Sequence, residues 1–515
     1  YDDWCIAQMA KDLGDDTIYS EFIRRAQFYK NLYDPSTGFI RPKINGGWLT
    51  PFDPTKVDWN YTEANAWQYN FHIPQDVNGH ITLMGGDEAY LTKLDELFST
   101  SQKVSGRDMK DISGLIGQYA HGNEPSHHMA YLYSYAGKAW KTQEILRNIM
   151  DNLYTHHPDG LCGNEDCGQM SAWYVFSAMG FYPVTPGSPF YTIGTPMMDK
   201  ITISLENGNT FVILAKGLSK ENKYIQKATL NGKIWPNSYI SHQQIMNGGL
   251  LIFEMGNKPN KSWGTSEEQI PITHITDKLI TPVPFIKSGN SVFFDTQTIE
   301  LACADPLAEI KYKIMNDENN TFIQYTNPIT IESTTIIKAK AKRNDQIDSF
   351  IIEAKFVKIE PGRTITIKYP FAPQYSAGGN IALIDHQHGG NDFRTGRWQG
   401  YEGVNLEAVV DLGKTMRIST LSTGFFQDVN AWIFMPEFVE YSISDDGKKF
   451  RFIGNVKNPI SEDDWNIQSH DFTLKFAPIS TRYIKIIGKN RGYCPDWHKG
   501  AGNNSWIFAD EIVIK

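Results

Sequence analysis

Five cysteines in 515 residues are too few to staple a chain of this length, so stability must come from buried apolar surface and not from a disulfide framework. No uninterrupted apolar run approaches the roughly 18 residues that cross a bilayer, which excludes a membrane-spanning helix. Clusters of Lys and Arg are also missing. With 49 basic against 58 acidic residues the formal charge is −9, which argues against nucleic acid as a partner. Tyr1-Asp2-Asp3-Trp4 has neither the basic nor the apolar region of a signal peptide, and it does not read as a natural start. What is present is ordinary for a globular protein: 41% hydrophobic and 13% aromatic residues, in a chain long enough for roughly three domains.

The most informative stretch is Gly160-Leu161-Cys162-Gly163-Asn164-Glu165-Asp166-Cys167-Gly168-Gln169-Met170-Ser171-Ala172-Trp173. Two carboxylates and an amide sit between glycines, where the chain can turn sharply, and an apolar helical run follows at once. Carboxylates at a helix N-terminus are held still by free N–H groups and the positive dipole end. Fixed carboxylates activate water or bind a hard cation; the plainer reading is that Glu165 and Asp166 cap the helix. Cys162 and Cys167 bracket the loop and are candidates for a bridge in an oxidising compartment. With no second cysteine pair nearby they do not form a zinc ribbon.

The chain changes character along its length. Residues 1–190 read as helices, with Cys5, Ile6, Met9 and Leu13 at helical spacing and further helical runs at 129–139 and 145–153. The long loop 34–61, with Trp48, Asp53 and Trp59, is of a length that usually carries function. Alternating residues from 191 to 262 read as strands, with hairpin chemistry at Asn207-Gly208-Asn209 and a polar linker at 257–268. A Thr- and Ile-rich strand module occupies 279–357, its clearest strands at 329–331 and 335–340. It looks like the small β domains appended to secreted glycosidases.

From 358 to 515 the spacing of strands and turns predicts a β-sandwich. The strand ending Asp411-Leu412-Gly413, the turn Ser444-Asp445-Asp446-Gly447 and the strand Arg482-Tyr483-Ile484-Lys485-Ile486 resemble the discoidin-like, galactose-binding-fold domains of the coagulation factor 5/8 C-terminal type.

Three segments of the helical part carry a second resemblance: Tyr61-Thr62-Glu63-Ala64-Asn65-Ala66-Trp67-Gln68-Tyr69, His121-Gly122-Asn123-Glu124-Pro125-Ser126-His127-His128, and the acidic loop. With Tyr1-Asp2-Asp3-Trp4-Cys5-Ile6-Ala7 and Phe181-Tyr182-Pro183-Val184 they resemble glycoside hydrolase family 92 over about residues 1–260. The resemblance implies a calcium-dependent, inverting exo-α-mannosidase, acting on terminal α-linked mannose (α-1,2 by preference) of N-glycans or glycoproteins. It implies a periplasmic, cell-surface or secreted protein of a bacterium. The fold class expected is multidomain α and β: part of an (α/α)6 helical barrel with β-sandwich strands, a small all-β module and a galactose-binding-like sandwich. Because the resemblance begins in mid-barrel, the missing half of the catalytic unit is expected as another chain or outside this numbering.

Inverting glycoside hydrolysis needs a protonated carboxyl at the leaving oxygen and an ionised carboxylate behind a water. Glu63 falls at the family's acid position. Trp59, Tyr61, Trp67 and Tyr69 lie close to it in sequence, and such rings raise a carboxyl's pKa. Asp166, amid Asn164, Glu165 and Gln169, falls at the base position. Asn164 stands where some relatives carry an aspartate, so its part would be to orient water. Trp67, Gln68, His127, Asn164 and Glu165 are the candidate sugar-contacting residues, and Asn123 and Glu124 the candidate Ca2+ ligands. His127 and His128 are adjacent and point about 100° apart on a helix, so they do not chelate zinc as an i,i+4 pair does. The competing class is a non-catalytic carbohydrate-binding protein acting through the C-terminal sandwich, where Trp398, Tyr401 and Trp432 are the candidate sugar platforms.

Overall fold

Seven α-helices develop from the helical periodicity of the first 180 residues in the computed structural model, which describes residues 1–315, 321–359 and 361–515. They are α1 (Asp2–Asp12), α2 (Asp16–Arg25), α3 (Ala66–Asn70), α4 (Val77–Leu83), α5 (Asp87–Ser99), α6 (Ala139–Asn152) and α7 (Gln169–Met179). Asp15 starts α2 by accepting from the N–H groups of Thr17 and Ile18 at 3.1 and 3.0 Å. Leu94 and Leu97 of α5, Leu146 and Ile149 of α6 and Trp173 of α7 share one buried core.

Two helical expectations are corrected. Ile6, Met9 and Leu13 are exposed, and α1 turns Ala7 and Ala10 inward, because these small residues let α2 and Ile275 pack closely. The run beginning at Met129 is a 3₁₀ helix, Met129–Ala136, buried at every residue. With no polar face, tertiary packing and not periodicity sets its winding.

The predicted hairpin forms: Lys200–Ser204 pairs antiparallel with Thr210–Lys216, and Gly208 takes φ 85° in the turn. These strands belong to a five-stranded sheet completed by Gly249–Gly256, Tyr224–Leu230 and Lys233–Ile234. The segment 257–268 is packed and not a free linker, since Trp263 is buried in the core under that sheet. Two further five-stranded sheets build the small module around Ile299, Ile337 and Phe356. One of them recruits Lys43–Ile44 and Gly47–Trp48 from the loop of the first part, with Ile286 beside Gly47 in parallel register. The C-terminal sheet is built on two long strands, Leu406–Gln427 and Gln468–Gly488. Across it Arg482 grips Asp411 with two hydrogen bonds of 2.9 and 3.0 Å, so two of the sequence landmarks meet in space.

Candidate active site

The acidic loop enters α7 through three consecutive left-handed residues, Asp166, Cys167 and Gly168, at φ 46°, 57° and 89°. Such backbone costs about 1–3 kcal/mol at each non-glycine position and persists where surrounding structure over-determines it. Glu165 turns back on the helix, where its Oε1 accepts from the Ser171 N–H at 3.3 Å. The capping role therefore belongs to Glu165, half-buried, and Asp166 is left exposed at the tip. Asn164 is exposed beside it and donates to Asp111 Oδ1 at 3.0 Å. Cys162 and Cys167 are separate thiols.

Two glycines bring this loop against the segment 121–126. A Cβ on Gly163 would lie 2.5 Å from Gly122 Cα and 2.7 Å from its carbonyl oxygen, so only glycine allows the two backbones to touch. The consequence is electrostatic. Burial, then a hydrogen-bonding contact with Asp166 and the charges of Asp166 and Glu63, push the Glu124 carboxyl above its usual range. Glu124 thus feels both Glu63 and Asp166, two carboxylates distant from it in sequence.

His127, three residues past Glu124, is 1% exposed. Its Nε2 donates to the His121 carbonyl at 3.0 Å, its Nδ1 accepts from Gln169 at 3.2 Å, and its own carbonyl accepts from the Trp173 indole at 2.9 Å. Burial holds its pKa down at about 4, so the ring is neutral. Both nitrogens are committed inside the protein, which corrects the expectation of a sugar contact: His127 is a positioning residue. His128 donates to the Phe71 carbonyl at 2.7 Å, so neither ring is arranged as a zinc ligand. Sequence reasoning gave Gln169 only as a polar neighbour of Asp166 and assigned no role to His121, which bridges Tyr119 and Tyr154 at 2.8 and 2.7 Å.

Glu63 sits in the loop leading into α3, half-buried, two residues before Asn65. Asn65 is the N-cap, accepting from the N–H groups of Trp67 and Gln68 at 3.1 and 3.4 Å and donating to Gln118 Oε1 at 2.9 Å. Trp67 and Gln68 are corrected from sugar contacts to core residues. Trp67 packs edge-on against Phe39 at 4.7 Å, and Gln68, 1% exposed, donates to the Gln118 carbonyl at 3.0 Å. The one-turn helix packs on the strand Tyr119–Ala120 and buries every residue but Tyr69.

Among the described residues no group of three His, Cys, Asp or Glu is close enough to cage a metal. Asn123, buried, and Glu124, half-buried, nonetheless offer side-chain oxygens, the donor type a hard cation takes. The residues present fit such an ion when water or ligand oxygens supply the rest of its shell.

Residues 1–257, which hold all of these groups, match the family model described as the glycosyl hydrolase family 92 catalytic domain. They belong to that family. Residues 372–508 match the F5/8 type C domain. A family-92 α-mannosidase of Bacteroides thetaiotaomicron, solved in complex with mannoimidazole, is 42% identical with a TM-score of 0.50, over 53% of this chain and 37% of that one. An inverting mannosidase of the same family from Bacteroides thetaiotaomicron VPI-5482 is 40% identical over 53% of this chain and 38% of its own, with a TM-score of 0.48. An uncharacterized secreted glycosidase of Arthroderma benhamiae is 27% identical over 298 residues, 53% of this chain and 36% of that protein. The chain thus spans little more than a third of the length of these relatives.

Outside the family-92 region, the F5/8 type C region corrects a further expectation. Trp398 is 1% and Tyr401 0% exposed, both inside the sandwich core, where Trp398 packs on Phe426 at 5.1 Å. Trp432 is half-buried and edge-on to His498 at 6.3 Å. The exposed rings are others: Trp465 and Trp497, 47% and 45% exposed, stand 6.0 Å apart at 59°. Their loops lack regular structure, so no periodicity marked them as surface residues.

Proposed function

We propose that the family-92 region is the catalytic part of an exo-acting α-mannosidase that removes terminal α-1,2-linked mannose from N-glycans with inversion. Glu63 is the general acid that protonates the leaving oxygen, and Asp166 the general base that takes a proton from the attacking water. The observation that carries the reading is the convergence of Glu63, Glu124 and Asp166 where two glycine-tight loops meet the loop before α3. An exposed Asp166 beside a hydrogen-bonding Asn164 suits an ionised base with a water at hand. Asn123 and Glu124 would hold Ca2+, which when bound supplies positive charge to sugar hydroxyls. The mannosidase names of the solved relatives support the substrate class, and the secreted relative supports an exported protein.

The test is proton NMR of the complete protein, with the expected other half of the catalytic unit present, on α-1,2-, α-1,3- and α-1,6-mannobiose. The expected first product is β-mannose, fastest from the α-1,2 disaccharide. Glu63→Gln should lower the rate by at least about a hundredfold, with a much smaller loss on an activated aryl mannoside. Initial release of α-mannose overturns inversion, and release from none of the three favours the second reading.

That second reading, a carbohydrate-binding protein acting through the C-terminal sandwich, rests on the open pair Trp465 and Trp497, whose faces can stack on pyranose C–H surfaces.

A further inference from the structure

We propose that the groove between the 41–60 loop and the C-terminal sandwich binds the leaving-group side of an oligosaccharide whose terminal sugar is held near Glu63. The inference rests on the proposed mannosidase reading and extends it: the C-terminal sandwich is then a wall of the substrate cleft and not a detached module.

Two cavities of about 690 and 430 Å3 lie here, the smaller between these two parts and the larger walled also by residues 286–292, Phe294 and Phe356 of the small module. They share Ile44, Thr50, Ala377, Gly378 and Gly396, so they are one continuous groove. Each lies within the roughly 300–1,000 Å3 of small-molecule sites, and a groove of both suits a chain of several sugars. Its near end is formed by Asp58, Trp59 and Asn60. Trp59 is four residues ahead of Glu63, at most about 14 Å of extended chain.

The chemistry of the walls matches a sugar. A pyranose presents flat C–H faces to aromatic rings and a rim of hydroxyls to amides and charged donors. Trp59, Tyr375 and Phe393 supply rings, and Asn60, Gln374 and Arg394 supply polar groups. The Trp59 ring, 45% exposed, carries the Arg107 guanidinium at 3.8 Å from its centroid. The indole N–H of Trp48, which lines the groove, has no hydrogen-bond partner among the described residues.

The walls are held together. Asn45 donates to the Lys355 carbonyl at 2.7 Å and accepts its N–H at 2.8 Å, and Gly47 joins Ile286 in a sheet. Gln387 of the C-terminal part reaches Ser291 at 3.4 Å. A groove built this way needs little ordering when a ligand enters.

The experiment compares the chain with its Ala377→Trp variant, which fills the groove from the C-terminal wall, and with Trp59→Ala. Calorimetric titration with α-linked mannotetraose is expected to show at least a tenfold weaker Kd in both variants. The ratio of kcat/KM for mannotetraose over an aryl α-mannoside is expected to fall at least tenfold. Equal mannotetraose affinity in wild type and both variants overturns the groove, whatever the activity. Weaker binding in the variants, with no hydrolysis by wild type even when the complete protein is used, supports the groove and rejects the mannosidase. If Ala377→Trp does not fold, Trp59→Ala decides alone. Wild type that binds an unglycosylated peptide as tightly as mannotetraose also overturns the inference.

Discussion

Gly122 and Gly163 need no special backbone angle; they are glycines because two loops must touch. Their contact sets how close Glu124 and Asp166 come, and through that contact the electrostatics of the site. Gly163→Ala places a methyl within 2.5 Å of the Gly122 backbone, which cannot rotate away as a side chain would. We expect about 1–3 kcal/mol of lost stability from the overpacking. Because a 1 Å misplacement of reacting groups costs on the order of a hundredfold in rate, hydrolysis should fall by more than the unfolded fraction explains. Chemical denaturation beside kcat measurement separates the two; full activity at reduced stability would show that the loop contact does not place Asp166.

At the scale of elements, the 34–61 loop does more than its lack of periodicity suggested. Arg41 pairs with Asp34 at 2.6 Å, both nearly inaccessible, and also donates to the Leu49 carbonyl at 2.8 Å. This clamp holds the stretch that lends a hairpin to the small module. Burial opposes the ionisation of Asp34, but hydrogen bonds from Ser36, Arg41 and Thr37 outweigh it, so its pKa lies below the ordinary carboxylate value. A depressed folded-state pKa contributes stability above the unfolded value of about 3.9, lost as pH falls through the folded one. Asp34→Asn should cost about 3–5 kcal/mol at pH 7 by leaving a buried guanidinium without its partner. Urea unfolding checks the value, and the gap between mutant and wild type should narrow below about pH 4. A midpoint at pH 7 equal to wild type would remove the clamp from the account.

At the scale of the whole molecule, the sandwich carries a pH dependence of opposite sign. Burial, then the charge of Asp385, pushes Glu511 up to about 9, and burial pushes Asp385 up to about 7. Asp510 beside them is raised as well, and Glu511 Oε1 and Asp510 Oδ1 have no hydrogen-bond partner. A raised folded-state pKa gives stability that is complete below the unfolded value, about 4.3 for Glu, and is lost as pH climbs toward the folded one. Measured with chelator, since such carboxylates recruit divalent cations, the thermal midpoint should fall between about pH 5 and pH 9. Glu511→Gln should raise the midpoint by several degrees at pH 8 and change it little at pH 5. A mutant no more stable than wild type at pH 8 would place the dependence elsewhere.

Local chemistry alone determined a good deal of this protein. Asn207-Gly208-Asn209 turned a hairpin, and the Gly-flanked acids entered a helix, because turn and cap preferences act over a few residues. The ordered motifs around Glu63, Asn123 and Asp166 identified the family for the same reason: a long string of residue types survives without its three-dimensional context. Burial is different, because it depends on what arrives from elsewhere in the chain. Trp67, Gln68, His127, Trp398 and Tyr401 carry ring or amide chemistry suited to sugars, and only packing showed them closed off. The exposed side of α1, the recruitment of 43–48 into another unit's sheet and the meeting of Gly122 with Gly163 were likewise decided by tertiary structure. Each is a contact between segments far apart in the chain, and neither propensity nor periodicity extends over such separations.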